Sequence, residues 1–154
     1  VKRYYRFLSG IVGLSVSTFC GCGDGLKRVT IQGVVTVQQS PLADATVQFL
    51  PKGDTAGEGA IGTTDANGKF TVTSSRDDAA GIPPGTYIVR VNRMMDKDGK
   101  LLPSDALQAD YPDAIEAIPA PYSTATSPIE VTVTDQGGNI TVEIPAKLLG
   151  PKKK

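Results

Sequence analysis

The residues equipped for chemistry are few, and one absent type narrows what they can do. The chain has 154 residues with 16 acidic and 16 basic side chains, two cysteines and no histidine. In Asp96-Lys97-Asp98-Gly99-Lys100 two carboxylates alternate before a glycine, as they do in calcium loops. Lysines flank them and the later ligands of such a loop are missing, so a solvated hairpin or loop tip is the expected use of Asp96 and Asp98. Asp105, Asp110, Asp113 and Glu116 form a second acidic group, near in sequence but with nothing to bring them onto one paired-carboxylate site. Without histidine the chain lacks the side chain that titrates nearest neutrality, the usual general base and a common metal ligand. Ser74, Ser75, Ser104, Ser123 and Ser127 fall in expected loops with no imidazole to activate them. Lys52, Lys69, Lys97 and Lys100 lie in or beside polar turns, away from the burial that turns a lysine into a base. The expectation is a domain with no catalysis, no catalytic metal and no cofactor. Carboxylates alone favour calcium or magnesium at best.

Both cysteines, Cys20 and Cys22, stand near the start. Lys2, Arg3 and Arg6 precede an apolar, small-residue run from Leu8 to Cys20, the layout of a secretory signal. As a helix, about 14 residues span roughly 21 Å, short of the ~30 Å hydrocarbon core; a buried helix or a short membrane anchor is the alternative. The run ends in Phe19-Cys20-Gly21-Cys22-Gly23-Asp24-Gly25. A Cys-x-Cys spacing is tight for a disulfide, and a four-ligand metal site has no further cysteine or histidine to draw on. The segment resembles a bacterial lipobox with Cys22 as the lipidated residue, since the small Gly21 precedes it and the bulky Phe19 precedes Cys20. Phe19 stands where leucine is usual. A thioether-linked diacylglycerol with a further acyl chain gives stable anchoring where one chain gives only marginal binding. The expected division is a signal peptide over 1–21, a tether over 22–28, a folded domain over 29–146 and a basic tail over 147–154.

The domain that must position any site reads as strands and turns. Val29 to Val37 is rich in β-branched residues, with Gly33 at its centre. Ser40-Pro41 breaks the run; Val47, Phe49 and Leu50 resume it, and Pro51-Lys52-Gly53 ends it. Asp65-Ala66-Asn67-Gly68 is a turn signal, because Asn and Gly tolerate positive φ. Phe70 and Val72 alternate again. After Pro83-Pro84-Gly85 the run Thr86 to Val91 places Tyr87, Val89 and Val91 on one face. The stretch 92–122 is long and mixed; Leu107 to Ala117 has some helical character, cut by Pro112. Val131 and Val133, then Val142 and Ile144, make two closing strands, expected as a hairpin at the edge of the sheet. Val47, Phe49, Phe70, Tyr87, Val89, Val131, Val133, Val142 and Ile144 are the expected core. Gly33 is expected to permit a bulge or close strand approach, Asp65 to cap its turn, and Tyr87 to tuck its ring under the sheet with its hydroxyl on a backbone group. About seven strands with Gly/Pro turns and no long helix imply an all-β sandwich.

The segments GVVTVQQSPLADATVQFLP, TTDANGKF and AGIPPGTYIVRV are similar to the carboxypeptidase regulatory-like domain. The likeness runs from about Ile31 to Val91 through Gly33, Pro41-Leu42, Ala45, Val47, Thr64-Asp65, Gly68, Phe70, Gly85 and Tyr87. Glycine is more usual where Asp44 stands. With Ile118 to Val133, the whole resembles small planctomycete-type bacterial lipoproteins. The resemblance implies a transthyretin-like, prealbumin-like, seven-stranded Greek-key β-sandwich. That fold also includes a purine-catabolic hydrolase whose site depends on histidines, which this chain lacks. The expectation is a non-catalytic, lipid-anchored domain on the periplasmic or surface side of a bacterial cell envelope. Its lipid partner is reached through Cys22, and balanced charge argues against nucleic acid. It is expected to serve as a binding or adhesion module for a surface protein or glycan, with Tyr111 and Tyr122 as ligand contacts, or else as a structural envelope component.

Overall fold

Period-two alternation of apolar residues builds both main sheets, because successive side chains of a strand point to opposite faces. The computed structural model describes residues 25–76, 78–107 and 109–150. The expected signal segment, Cys20 and Cys22 fall outside them. The described residues contain eleven strands and no helix, and none is thus long and apolar enough to cross a membrane as a helix. In chain order the strands are β1 (Ile31–Val37), β2 (Ser40–Pro41), β3 (Thr46–Lys52), β4 (Ala60–Thr63), β5 (Lys69–Thr71), β6 (Thr73–Ser74), β7 (Gly85–Asn92), β8 (Met94–Met95), β9 (Ile115–Glu116), β10 (Glu130–Val133) and β11 (Gly138–Ile144).

One sheet is centred on β1, with β11 on one side and β2 and β5 on the other. The other runs β10-β7-β3-β4-β6, all antiparallel. β8 and β9 form a separate two-stranded ribbon. The fold is all-β and of sandwich type. Its core draws on both main sheets: Ile31, Val35 and Val142 from one, Val47, Val89 and Val91 from the other, each buried. Three aromatic rings tie the two together. Phe49 of β3 meets Phe70 of β5 with centroids 6.1 Å apart and Tyr87 of β7 at 6.2 Å, the latter edge to face, the geometry that aligns ring quadrupoles favourably.

Local sequence explains the closest approaches. A Cβ at Gly33 would lie 2.4 Å from the Ile140 carbonyl oxygen and 2.6 Å from Phe70 Cζ, so only glycine lets that ring lie across β1. Asp65 caps its turn: its Oδ1 accepts from the Asn67 N–H at 2.8 Å and the Lys69 N–H at 2.9 Å. The Tyr87 hydroxyl donates to the Pro83 carbonyl at 2.7 Å, and burial pushes its pKa up to about 12. At the β1–β2 turn Gln38 and Gln39 both adopt positive φ, 50° and 68°. The chain thus reverses one step before Ser40-Pro41, which pairs back onto β1.

One expectation is corrected. β10 and β11 are not a hairpin: β10 pairs antiparallel with β7, while β11 runs parallel to β1 from Ile31↔Gly138 to Val37↔Ile144. Gly137, at φ 69°, turns the chain across the sandwich so closely that a Cβ there would lie 2.4 Å from the Thr30 carbonyl oxygen. Val131 is partly buried and packs against the core from β10, the outermost strand of its sheet. Leu107 to Ala117, where at most a short helical turn is expected, carries turns closed by Asp110 N–H to Leu107 O and Ala114 N–H to Tyr111 O, and then β9.

Candidate functional site

The inward phase of β7 continues past the strand's end. Tyr87, Val89 and Val91 are fully buried, and the next residue in step, Arg93, is only 5% exposed. Two features hold this arginine where it is. Its own N–H donates to Glu116 Oε1 at 2.8 Å, and its carbonyl accepts from Ala117 N–H at 2.7 Å. Both oxygens of Glu116 are spent at this junction, since Oε1 also takes the Ile118 N–H at 2.8 Å and Oε2 takes Asn92 Nδ2 at 2.7 Å. A half-buried carboxylate thereby clamps the β8–β9 ribbon to the end of β7. It leaves the Arg93 guanidinium to find other partners.

Those partners are sparse. Arg93 Nη2 lies 3.5 Å from Asp44 Oδ2, and Nη1 lies 3.5 Å from the Met94 carbonyl oxygen, both long contacts. Nε is buried and has no hydrogen-bond partner. Burial lowers the Arg93 pKa from its ordinary value and Asp44 opposes that shift; the guanidinium remains charged at any ordinary pH. Asp44 itself sits at φ 53°, where glycine is at ease and other residues are strained. Its backbone is fixed there by its N–H to the Thr64 carbonyl at 3.0 Å.

Arg93 and Asp44 line a cavity of about 80 Å³, whose walls include Met94, Leu102, Leu107 and Tyr111. Tyr111 is exposed at the rim and also walls a neighbouring cavity of about 140 Å³ with Asp96, Lys97 and Asp113. A larger depression of about 480 Å³ lies over β1, β5 and β11. Its charged residues, Asp65 and Lys69, are exposed and Asp65 is spent on its turn. The Arg93 cavity is small and partly open, and it sets apolar walls beside a buried donor that the chain leaves under-used.

The expected site residues are dispersed. Tyr122 is half-buried and packs against the core, with its carbonyl accepting from Val91 N–H at 3.0 Å. The acidic group does not converge: Asp105, Asp110 and Asp113 are exposed while Glu116 turns inward. Among the described residues no group of three or more Asp, Glu, Cys or His side chains is placed to hold a metal. Asp96 repeats the role of Asp65. Its Oδ1 accepts from the Asp98 and Lys100 N–H groups, both at 2.9 Å, and Gly99 takes φ 85° as Gly68 takes 72°. The two segments, Asp65-Ala66-Asn67-Gly68-Lys69 and Asp96-Lys97-Asp98-Gly99-Lys100, are one turn motif used twice. Ser74 and Ser127 are buried rather than in open loops, and their Oγ atoms accept from Arg76 and Ile129 N–H groups at 3.4 and 3.3 Å. Lys52, Lys69, Lys97 and Lys100 are exposed. Asp96→Ala is expected to lower stability by about 1 kcal/mol, the net worth of its turn hydrogen bonds, and calcium titration is expected to leave the wild-type melting temperature unchanged. A calcium-dependent rise that Asp96→Ala abolishes would overturn that assignment.

Arg93 is the candidate residue that sequence reasoning missed. The signal was present in the alternation 87, 89, 91, 93, which carries an arginine onto the inner face. Comparison of the chain with protein-family models, curated proteins and solved structures returned no match.

Proposed function

We propose that the protein is an exported, non-catalytic binding module, anchored through a lipid on Cys22, that contacts a surface protein or glycan of a bacterial cell envelope. In this reading the domain is a transthyretin-like, carboxypeptidase regulatory-like Greek-key sandwich, and the 93–122 segment is its contact surface. The observation that carries the binding role is the buried Arg93, with an unused Nε donor, beneath the exposed rim residue Tyr111. Tyrosine and arginine are enriched among the residues that dominate contact energies, in pockets that binding closes to water. The leader, with its basic start, apolar run and Gly21-Cys22, supports the address.

Full-length protein extracted in mild detergent, a background in which its lipid no longer holds it, is expected to be retained by immobilised envelope material. Tyr111→Ala in that background should reduce the bound fraction about tenfold, within the range for loss of one interface aromatic. Equal retention of the two proteins would remove Tyr111 from the contact surface.

A structural role in the envelope is favoured by one feature. β11 closes its sheet with seven residues and has no strand on its far side among the described residues. Its only charge is Glu143, and such an edge is a template for pairing with another chain. Under this reading the protein self-associates with rising concentration and Thr141→Lys makes it monomeric in sedimentation velocity.

A further inference from the structure

The geometry points to a carboxylate end group as the ligand of the Arg93 cavity, a deepening that rests on the binding role proposed above. The guanidinium is a planar fork of five donors that matches two coplanar oxygens. Here its Nε is buried without a partner, and its two Nη contacts are both 3.5 Å long. A group that brought two acceptor oxygens to Nη1 and Nη2, at the end of the fork, would replace both long contacts in one step.

The charges nearby select for a single negative charge. Arg93 and Asp44 are the charged residues of the cavity wall. No lysine lines it, Glu116 is held on the backbone of Arg93 and Ile118, and Asp105, Asp110 and Asp113 are exposed on the neighbouring loop. A dianion such as phosphate would meet one cation among several carboxylates. A monoanion exchanges for Asp44 at no change in net charge within the cavity. Asp44 is free to make that exchange, because its side chain is about half exposed and can turn to water. Its N–H on the Thr64 carbonyl at 3.0 Å holds its backbone in place during the exchange.

Size and lining select the rest. A cavity of about 80 Å³ takes the carboxylate and the few carbon atoms next to it. Met94, Leu102 and Leu107 offer these carbons an apolar wall. The remainder of the ligand must leave past Tyr111, which stands exposed at the rim. The ligand class is therefore a carboxylate on a narrow aliphatic stem, carried by a free short acid or by the C-terminus of a peptide chain.

The experiment uses the native protein in mild detergent, with calorimetric titration and melting temperature as readouts. Sodium acetate and sodium propanoate are compared with acetamide and sodium phosphate, and Ala-Ala-Ala acid with its amide. The carboxylates should bind saturably and raise the melting temperature, while acetamide, phosphate and the peptide amide do not. Arg93→Lys should weaken propanoate at least tenfold, since an ammonium cannot form the fork. Asp44→Asn, which keeps Arg93 and removes its competitor, should tighten propanoate several-fold. Tighter binding of the peptide acid than of propanoate identifies a chain end, and parity identifies a free acid. The assignment is overturned by equal responses to acetate and acetamide, by an unchanged affinity in a folded Arg93→Lys, or by no gain in Asp44→Asn. The last arm decides the matter if Arg93→Lys does not fold. A Tyr111-dependent envelope contact that persists without any carboxylate response would fail this ligand and leave the binding role standing.

Discussion

Phe70→Ala is expected to cost about 3–5 kcal/mol of stability, the usual range for removing a buried phenylalanine ring. In a domain of this size that is a fall in melting temperature of roughly 10–20 °C. The expectation comes from position. Phe70 lies in the short strand β5, is almost fully buried, and meets Phe49 from the opposite sheet. Its ring covers Gly33, where no Cβ fits. Truncation leaves a void bounded on one side by β1 backbone, which cannot move in to fill it without losing its pairing with β11. The cavity term is therefore added in full to the lost transfer energy. Thermal and urea melts of the purified variant read this directly. A Phe70→Ala protein that melts at the wild-type temperature would show that β5 is misregistered against β1.

A pronounced loss of stability at alkaline pH is the second large effect. Tyr87 is fully buried, its hydroxyl donates to Pro83, and its pKa is raised from the ordinary 10.0 to about 12. The folded state holds this proton more tightly than the unfolded chain does. The contribution is fully present below pH 10 and is lost as pH rises through about 12. A two-unit difference corresponds to about 2–3 kcal/mol at full development. Urea melts from pH 9 to about 12 should show this fall in wild type. Tyr87→Phe cannot ionise there and should show a shallower one. It starts about 1 kcal/mol less stable, because the Pro83 carbonyl loses its donor. Charge changes elsewhere in the chain are common to both proteins and cancel in the comparison. Parallel alkaline limbs would contradict the buried, hydrogen-bonded placement of Tyr87.

What alternation can encode was legible in the sequence, and partner choice was not. The inner faces of β3 and β7 follow from Val47 and Phe49, and from Tyr87, Val89 and Val91, because period two fixes which side chains share a face. The turn chemistry of Asp65 to Gly68 was legible for the same local reason. The run 129–144 reads equally well as a hairpin or as two strands in different sheets, since both arrangements bury the same residues. The decision lies in the close contact of Gly137 with Thr30, more than a hundred residues earlier in the chain. The β8–β9 ribbon was illegible because each strand has two residues, too few for a period. Its clamp, Glu116, looked like one more surface carboxylate. Arg93 is the instructive case: the alternation that buried its neighbours also buried it. Treating 92–122 as loop stopped the count one step too soon.

The proposed role depends first on where the domain is held, and one measurement addresses that most directly. Mass spectrometry of the N-terminal peptide from the native protein is expected to find a chain that begins at Cys22 and carries a diacylglycerol on its sulfur. Cys22→Ser should leave the protein exported but poorly processed, with its leader retained. An unmodified Cys22 inside an uncleaved chain would contradict the anchored, exported role at its root.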